Sequence, residues 1–79
     1  MAVTAIKKAM PYQEIKNGAG TTEFLLQYFP IKDSLAVYLN GVLLERGQNK
    51  DYIYDENTNI ITLSLAIEQG DILQILYMR

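Results

Sequence analysis

Hydrophobic and polar residues alternate along most of this chain with the period of two that marks β-strands. In TTEFLLQYF (21–29), Phe24, Leu26 and Tyr28 fall on one face and Glu23, Leu25 and Gln27 on the other. Pro30 ends the run. LAVYL (35–39) sets Leu35, Val37 and Leu39 opposite Ala36 and Tyr38. Asn40-Gly41 follows, the strongest short-range hairpin signal, because a type I′ turn needs positive φ at both central residues. VLLE (42–45) is the return strand. DYIYD (51–55) puts Tyr52 and Tyr54 on one face, and DENTN (55–59) is a turn of residues that bond their own backbone. IITLSL (60–65) groups Ile61, Leu63 and Leu65. AIEQGD (66–71) is a loop closed by Gly70-Asp71, and ILQILYM (72–78) is the last strand.

The first residues are less regular. Ala-rich AVTAIKKAMPYQEIK (2–16) favours helix by composition, but Pro11 interrupts one and pushes Met10 toward extended backbone. It is read as an extended arm or an edge strand, and NGAG (17–20) as a loop. The expectation is an all-β chain: a small antiparallel β-sandwich or barrel of six to seven strands, with an extended N-terminal arm. Residues 1–18 form the arm or edge strand, and 19–79 a single module. Strands recurring every 8–12 residues fit that class.

Size and composition sharpen the picture. At 79 residues with 49% apolar side chains, the chain is rich in hydrophobic residues for so little interior. A domain this small buries only about 60% of its unfolded surface and usually needs a disulfide, a metal or assembly for support. There is no Cys and no His, which removes disulfides, thiolate zinc sites and the commonest nitrogen ligand for transition metals. Assembly is the support left. FLLQYF and ILQILYM are apolar on both faces, whereas a strand of a lone two-layer fold wets one face. Cover by another subunit is the favoured explanation.

Charge excludes further classes. The net charge is −2, with Lys7, Lys8 and Lys16 near the start and Asp51, Asp55 and Glu56 further on. No basic face exists to cover a phosphate backbone, so no nucleic-acid partner is expected. No membrane partner is expected either. No apolar window reaches the length of a spanning helix, and Pro11, Gln13 and Glu14 interrupt any leader-like run after Lys7 and Lys8.

Catalysis finds little to work with. Ser/His and Cys/His pairs need residues the chain lacks, and the acidic residues at 51, 55 and 56 sit where strand ends and turns ordinarily carry them. Calcium at DENTN lacks EF-hand spacing, and NGAG lacks the Lys-Ser/Thr and the helix of a phosphate loop. No enzyme activity, metal or cofactor is expected.

The stretch from Leu35 to Tyr77 resembles a β-module of tailed-bacteriophage structural proteins. The resemblance rests on Val37, Tyr38, Asn40 and Gly41 with Leu43 and Leu44, then Asp51-Tyr52, Ile61-Thr62-Leu63, Gly70-Asp71, and Ile75 with Tyr77. ERGQNK (45–50) is longer and more polar than the simplest form of the pattern. The resemblance implies a non-enzymatic virion protein, assembled in the host cytoplasm: a capsid decoration, head-fibre, tail-fibre or tail-associated component. Its partners would be copies of itself, a trimer being favoured, and other virion proteins. Asn40, Gly41, Gly70 and Asp71 are then structural turn residues. Lys7, Lys8 and Lys16 are candidates for a docking arm. The alternative is a receptor- or carbohydrate-binding module acting in host recognition. Among six tyrosines and two phenylalanines, Tyr12, Phe29, Tyr38 and Tyr54 are the candidate interface or ligand aromatics.

Overall fold

A computed structural model describes residues 9–17 and 20–79. Among them there is no helix. Seven strands form two antiparallel sheets: β1 (Pro11–Lys16), β2 (Glu23–Leu25), β3 (Ala36–Leu39), β4 (Val42–Leu43), β5 (Tyr52–Asp55), β6 (Ile60–Leu63) and β7 (Leu73–Met78). The four-stranded sheet runs β1-β7-β3-β4 and the three-stranded sheet β2-β6-β5, so neither closes on itself.

The hairpin at Asn40-Gly41 forms as its sequence demands. Both residues have positive φ, 50° and 83°, and Tyr38 pairs with Leu43 across the turn. A Cβ at position 41 would meet nothing within 4 Å, so the need for glycine there is conformational, not steric. The second hairpin joins β5 to β6 through DENTN, with Asn59 at φ 60° and Tyr54 opposite Ile61.

One buried cluster draws on both sheets. Val37, Leu73, Ile75 and Tyr77 come from the four-stranded sheet, and Phe24, Tyr52, Ile61 and Leu63 from the other. Leu26 and Ile67 join them from loops, Ile67 at 1% exposure.

Three expectations change. The run at 21–29 is a strand only over Glu23–Leu25; the chain bends after Leu26, leaving Tyr28 out of the Phe24–Leu26 alternation. The return strand is two residues long, not four. β6 ends at Leu63, so Leu65 leaves the face of Ile61 and is 79% exposed. The loop read at 66–71 is a loop, and within it Ile67 is core. Backbone bonds explain the last point: Gly20 N–H donates to the Ile67 carbonyl at 2.9 Å and Ile67 N–H to the Thr21 carbonyl at 3.3 Å, so this loop is tied beside the start of β2. Of the two readings for the N-terminal segment, residues 11–16 form an edge strand paired along its length with β7. Lys7 and Lys8 lie outside the described residues.

Candidate functional site

Three features place chemistry-bearing side chains: a buried polar network, an uncharged sheet face and a cleft between loops.

The network starts on β1. Alternation puts Tyr12, Glu14 and Lys16 on the inner face of an edge strand, opposite Tyr77, Ile75 and Leu73. Glu14 is buried, and its Oε2 accepts a hydrogen bond from the Tyr77 hydroxyl at 2.6 Å and from the Gln27 amide at 3.0 Å. Lys16 Nζ lies 3.0 Å from Oε1. Burial alone would raise the Glu14 carboxyl. The bonds from Tyr77, Gln27 and Lys16 outweigh it and hold the group below its ordinary value. Burial, with the bond to Glu14, pushes the Tyr77 phenol up. The Tyr77 hydroxyl oxygen also accepts from the Tyr28 amide at 3.1 Å, which fixes the chain just after its bend. Tyr12 packs edge-on against Tyr28 at 4.9 Å and against Tyr77, and the Arg79 guanidinium lies 3.9 Å from the Tyr28 ring centroid. This is a closed structural knot: among the described residues no buried side-chain nitrogen or oxygen is left without a partner.

The turns predicted from sequence are brought together. Asn40 Nδ2 donates to Asp71 Oδ1 at 2.9 Å, and Asn40 Oδ1 accepts from the Ile72 amide at 2.9 Å. Asp71 Oδ2 accepts from the Glu68 amide at 2.8 Å, and the bonds from Asn40 and Glu68 lower the Asp71 carboxyl. Gly70 has φ 94°. The Asn40-Gly41 and Gly70-Asp71 turns therefore lie side by side.

The outer face of the four-stranded sheet is the second feature. Register aligns Ile15, Gln74, Tyr38 and Leu43 in one row across all four strands. The next row is Gln13, Leu76 and Ala36, and the next Pro11 and Met78. None of these described positions carries a charge. Ile15 is 57% exposed and Leu43 60%. The outer face of the three-stranded sheet differs: its rows are Glu23, Thr62, Ile53 and Leu25, Ile60, Asp55, with a carboxylate in each.

The third feature is a cleft of about 470 Å³ where three loops converge. The β2–β3 loop supplies Phe29 to Asp33, the β4–β5 loop Arg46, and the β5–β6 hairpin Tyr54, Glu56 and Asn57. Phe29 is 65% exposed. Tyr54 is half-buried and fixed, its hydroxyl donating to Asn59 Oδ1 at 2.7 Å, with the Arg46 guanidinium 5.3 Å from its ring centroid.

Of the candidate aromatics, Phe29 and Tyr54 thus share the cleft, Tyr38 lies on the uncharged sheet face, and Tyr12 belongs to the buried knot. Lys16 sits in β1 beside Glu14. The turn considered for calcium turns Asn59 inward: its Nδ2 donates to the carbonyls of Leu26 and Tyr28 at 3.2 and 2.9 Å. Among the described residues no group of three or more His, Cys, Asp or Glu side chains gathers to hold a metal. No helix there is long and apolar enough to cross a membrane.

The sequence did not single out Glu14 and Asn59, the two buried polar residues among those described. Glu14 had a signal in its place between Tyr12 and Lys16 on one face. Asn59 had only its turn composition.

The architecture defines an all-β domain of two antiparallel sheets, with an uncharged outer face on the larger. Residues 10–77 match the model of a domain of unknown function, DUF8818, and the chain belongs to that family. No curated protein and no solved structure matches it.

Proposed function

We propose that this protein is a non-enzymatic structural component of a bacteriophage virion, a capsid decoration, head-fibre or tail-associated part, acting through self-assembly and docking on other virion proteins. The observation that carries the assembly half is the uncharged outer face of the four-stranded sheet. In a chain with 20% charged residues, such a face costs nothing in solubility only when it is covered. Interface centres are depleted of charge and enriched in Tyr and Met, and this face has Tyr38 and Met78 among aliphatic and amide side chains. The virion half rests on the resemblance of residues 35–77 to phage β-modules. The shared cluster from both sheets supports packing of the two as a small sandwich.

The occupant proposed for the face is a second copy of the chain, within a trimer. Light scattering across a dilution series tests this. Wild type is expected to hold a constant multimeric mass at low concentration. Leu43→Lys or Ile15→Lys, at exposed positions, is expected to weaken assembly by at least ~100-fold while leaving the circular dichroism unchanged, since a buried unpaired ammonium is costly. A wild-type monomer at every concentration overturns self-assembly. The alternative, a receptor- or carbohydrate-binding role, draws its support from the loop cleft and not from the sheet.

A further inference from the structure

We propose that the cleft between the β2–β3, β4–β5 and β5–β6 loops is a binding site for an uncharged saccharide. The proposal is independent of self-assembly, because the cleft and the sheet face share no residue.

Three properties of the cleft point to this ligand class. Its volume, about 470 Å³, falls within the range of small-ligand sites, roughly 300–1,000 Å³. Its one freely presented ring is Phe29, 65% exposed and without a polar group of its own. A ring in that position offers a flat apolar surface to the C–H face of a sugar. Tyr54 does not compete for that task, as its hydroxyl is held by Asn59 and Arg46 lies over its ring.

The charges supply the third property. Lys32 and Arg46 line the cleft with Asp33 and Glu56, and the four sum to zero. Among the described residues none of the four is in an ion pair. The cleft thus presents both donors and acceptors to solvent. Vicinal hydroxyls, each donor and acceptor at once, match such a set. A polyanion would meet two carboxylates, and a purely apolar ligand would strand all four charged groups without partners.

The walls are set before any ligand arrives. Ile31 N–H donates to the Met78 carbonyl at 2.7 Å, and Met78 N–H to the Ser34 hydroxyl oxygen at 3.1 Å, which ties the β2–β3 loop to β7. Asp33, between Ile31 and Ser34, has φ 65°, the left-handed conformation that Asp and Asn adopt more readily than other non-glycine residues. A preformed wall lowers the ordering cost that limits weak saccharide binding.

The test is amide NMR of the full chain titrated at millimolar concentration with neutral glucan, mannan, galactan and N-acetylhexosamine oligosaccharides, and with a polysialic acid fragment. At least one neutral saccharide is expected to give saturable shifts at Phe29, Lys32, Asp33, Arg46, Tyr54 and Glu56. Phe29→Ala is expected to weaken that binding at least ~10-fold with the rest of the spectrum retained, since the ring is exposed. Saturation by no neutral saccharide, saturation by polysialic acid alone, or equal binding by Phe29→Ala would each overturn the proposal. None of these results depends on the mass measured by light scattering.

Discussion

At the scale of single residues, two buried polar groups decide more than any aromatic. Asn59 adopts left-handed backbone, accepts from Tyr54 and donates to two carbonyls beyond β2. Asn59→Ala leaves those carbonyls and the Tyr54 hydroxyl without partners and strains φ. A loss of about 2–3 kcal/mol in denaturant unfolding is expected, with Asn59→Gly losing less because it keeps the backbone relaxed. Glu14 carries an acid dependence. Its folded carboxyl lies below the ordinary value of 4.5, so its stabilisation is fully present above that value. The contribution is lost as the pH falls through the lowered folded value. Glu14→Gln is expected to flatten the unfolding free energy below about pH 4.5 relative to wild type, as followed by urea melts across pH. Gly41→Val should lose more than ~1 kcal/mol through φ alone, because the space for a side chain is open. A wild-type melting temperature in that variant would count against the type I′ turn.

At the scale of elements, the edge strand β1 is the informative case. Its sequence, PYQEIK, carries the features that discourage pairing with strangers: a proline lacking N–H and a charge turned inward. Yet it is bound through its whole length to β7 and delivers Glu14 to Tyr77. Deleting residues 1–16 is therefore expected to destabilise the body, with loss of the cooperative thermal transition or a fall of several degrees, and not merely to remove an attachment. A truncated protein that melts like wild type would make β1 dispensable. The Asn40–Asp71 contact joins two turns that are 31 residues apart in sequence. Asn40→Gly and Asp71→Ala are expected to be non-additive in a double-mutant cycle, since each removes the same bond.

For the whole molecule, the two proposed surfaces lie on different parts of the fold. The sheet face is built from strands β1, β7, β3 and β4, and the cleft from three loops. Leu43→Lys should change the solution mass and leave saccharide-induced shifts intact, and Phe29→Ala should do the reverse. Coupling between the two readouts would mean that assembly builds or closes the cleft.

The alternation of TTEF, LAVYL, DYIYD and IITL, with Asn-Gly and DENTN between, determined the strands, both hairpins and most of the core. These are local properties: side-chain period, and turns that only certain residues adopt. Phe24, Val37, Tyr52, Ile61 and Leu63 are therefore legible as sharing one face of their strands before any fold is known, whereas Ile75 and Tyr77 lie in a run apolar on both faces. Strand ends were not, because the bend after Leu26 and the exposure of Leu65 depend on where neighbouring strands stop. Nor were the partners of Glu14, Asn59 and Asn40, which lie 63, 33 and 31 residues away in their respective bonds. Sheet order decided the rest. Only when β1 and β3 flank β7 do Ile15, Gln74, Tyr38 and Leu43 line up as one uncharged row, and only when three loops meet do Phe29, Arg46 and Glu56 face a common space. Period along a strand is written in neighbouring residues; adjacency between strands is set by which faces can be buried together.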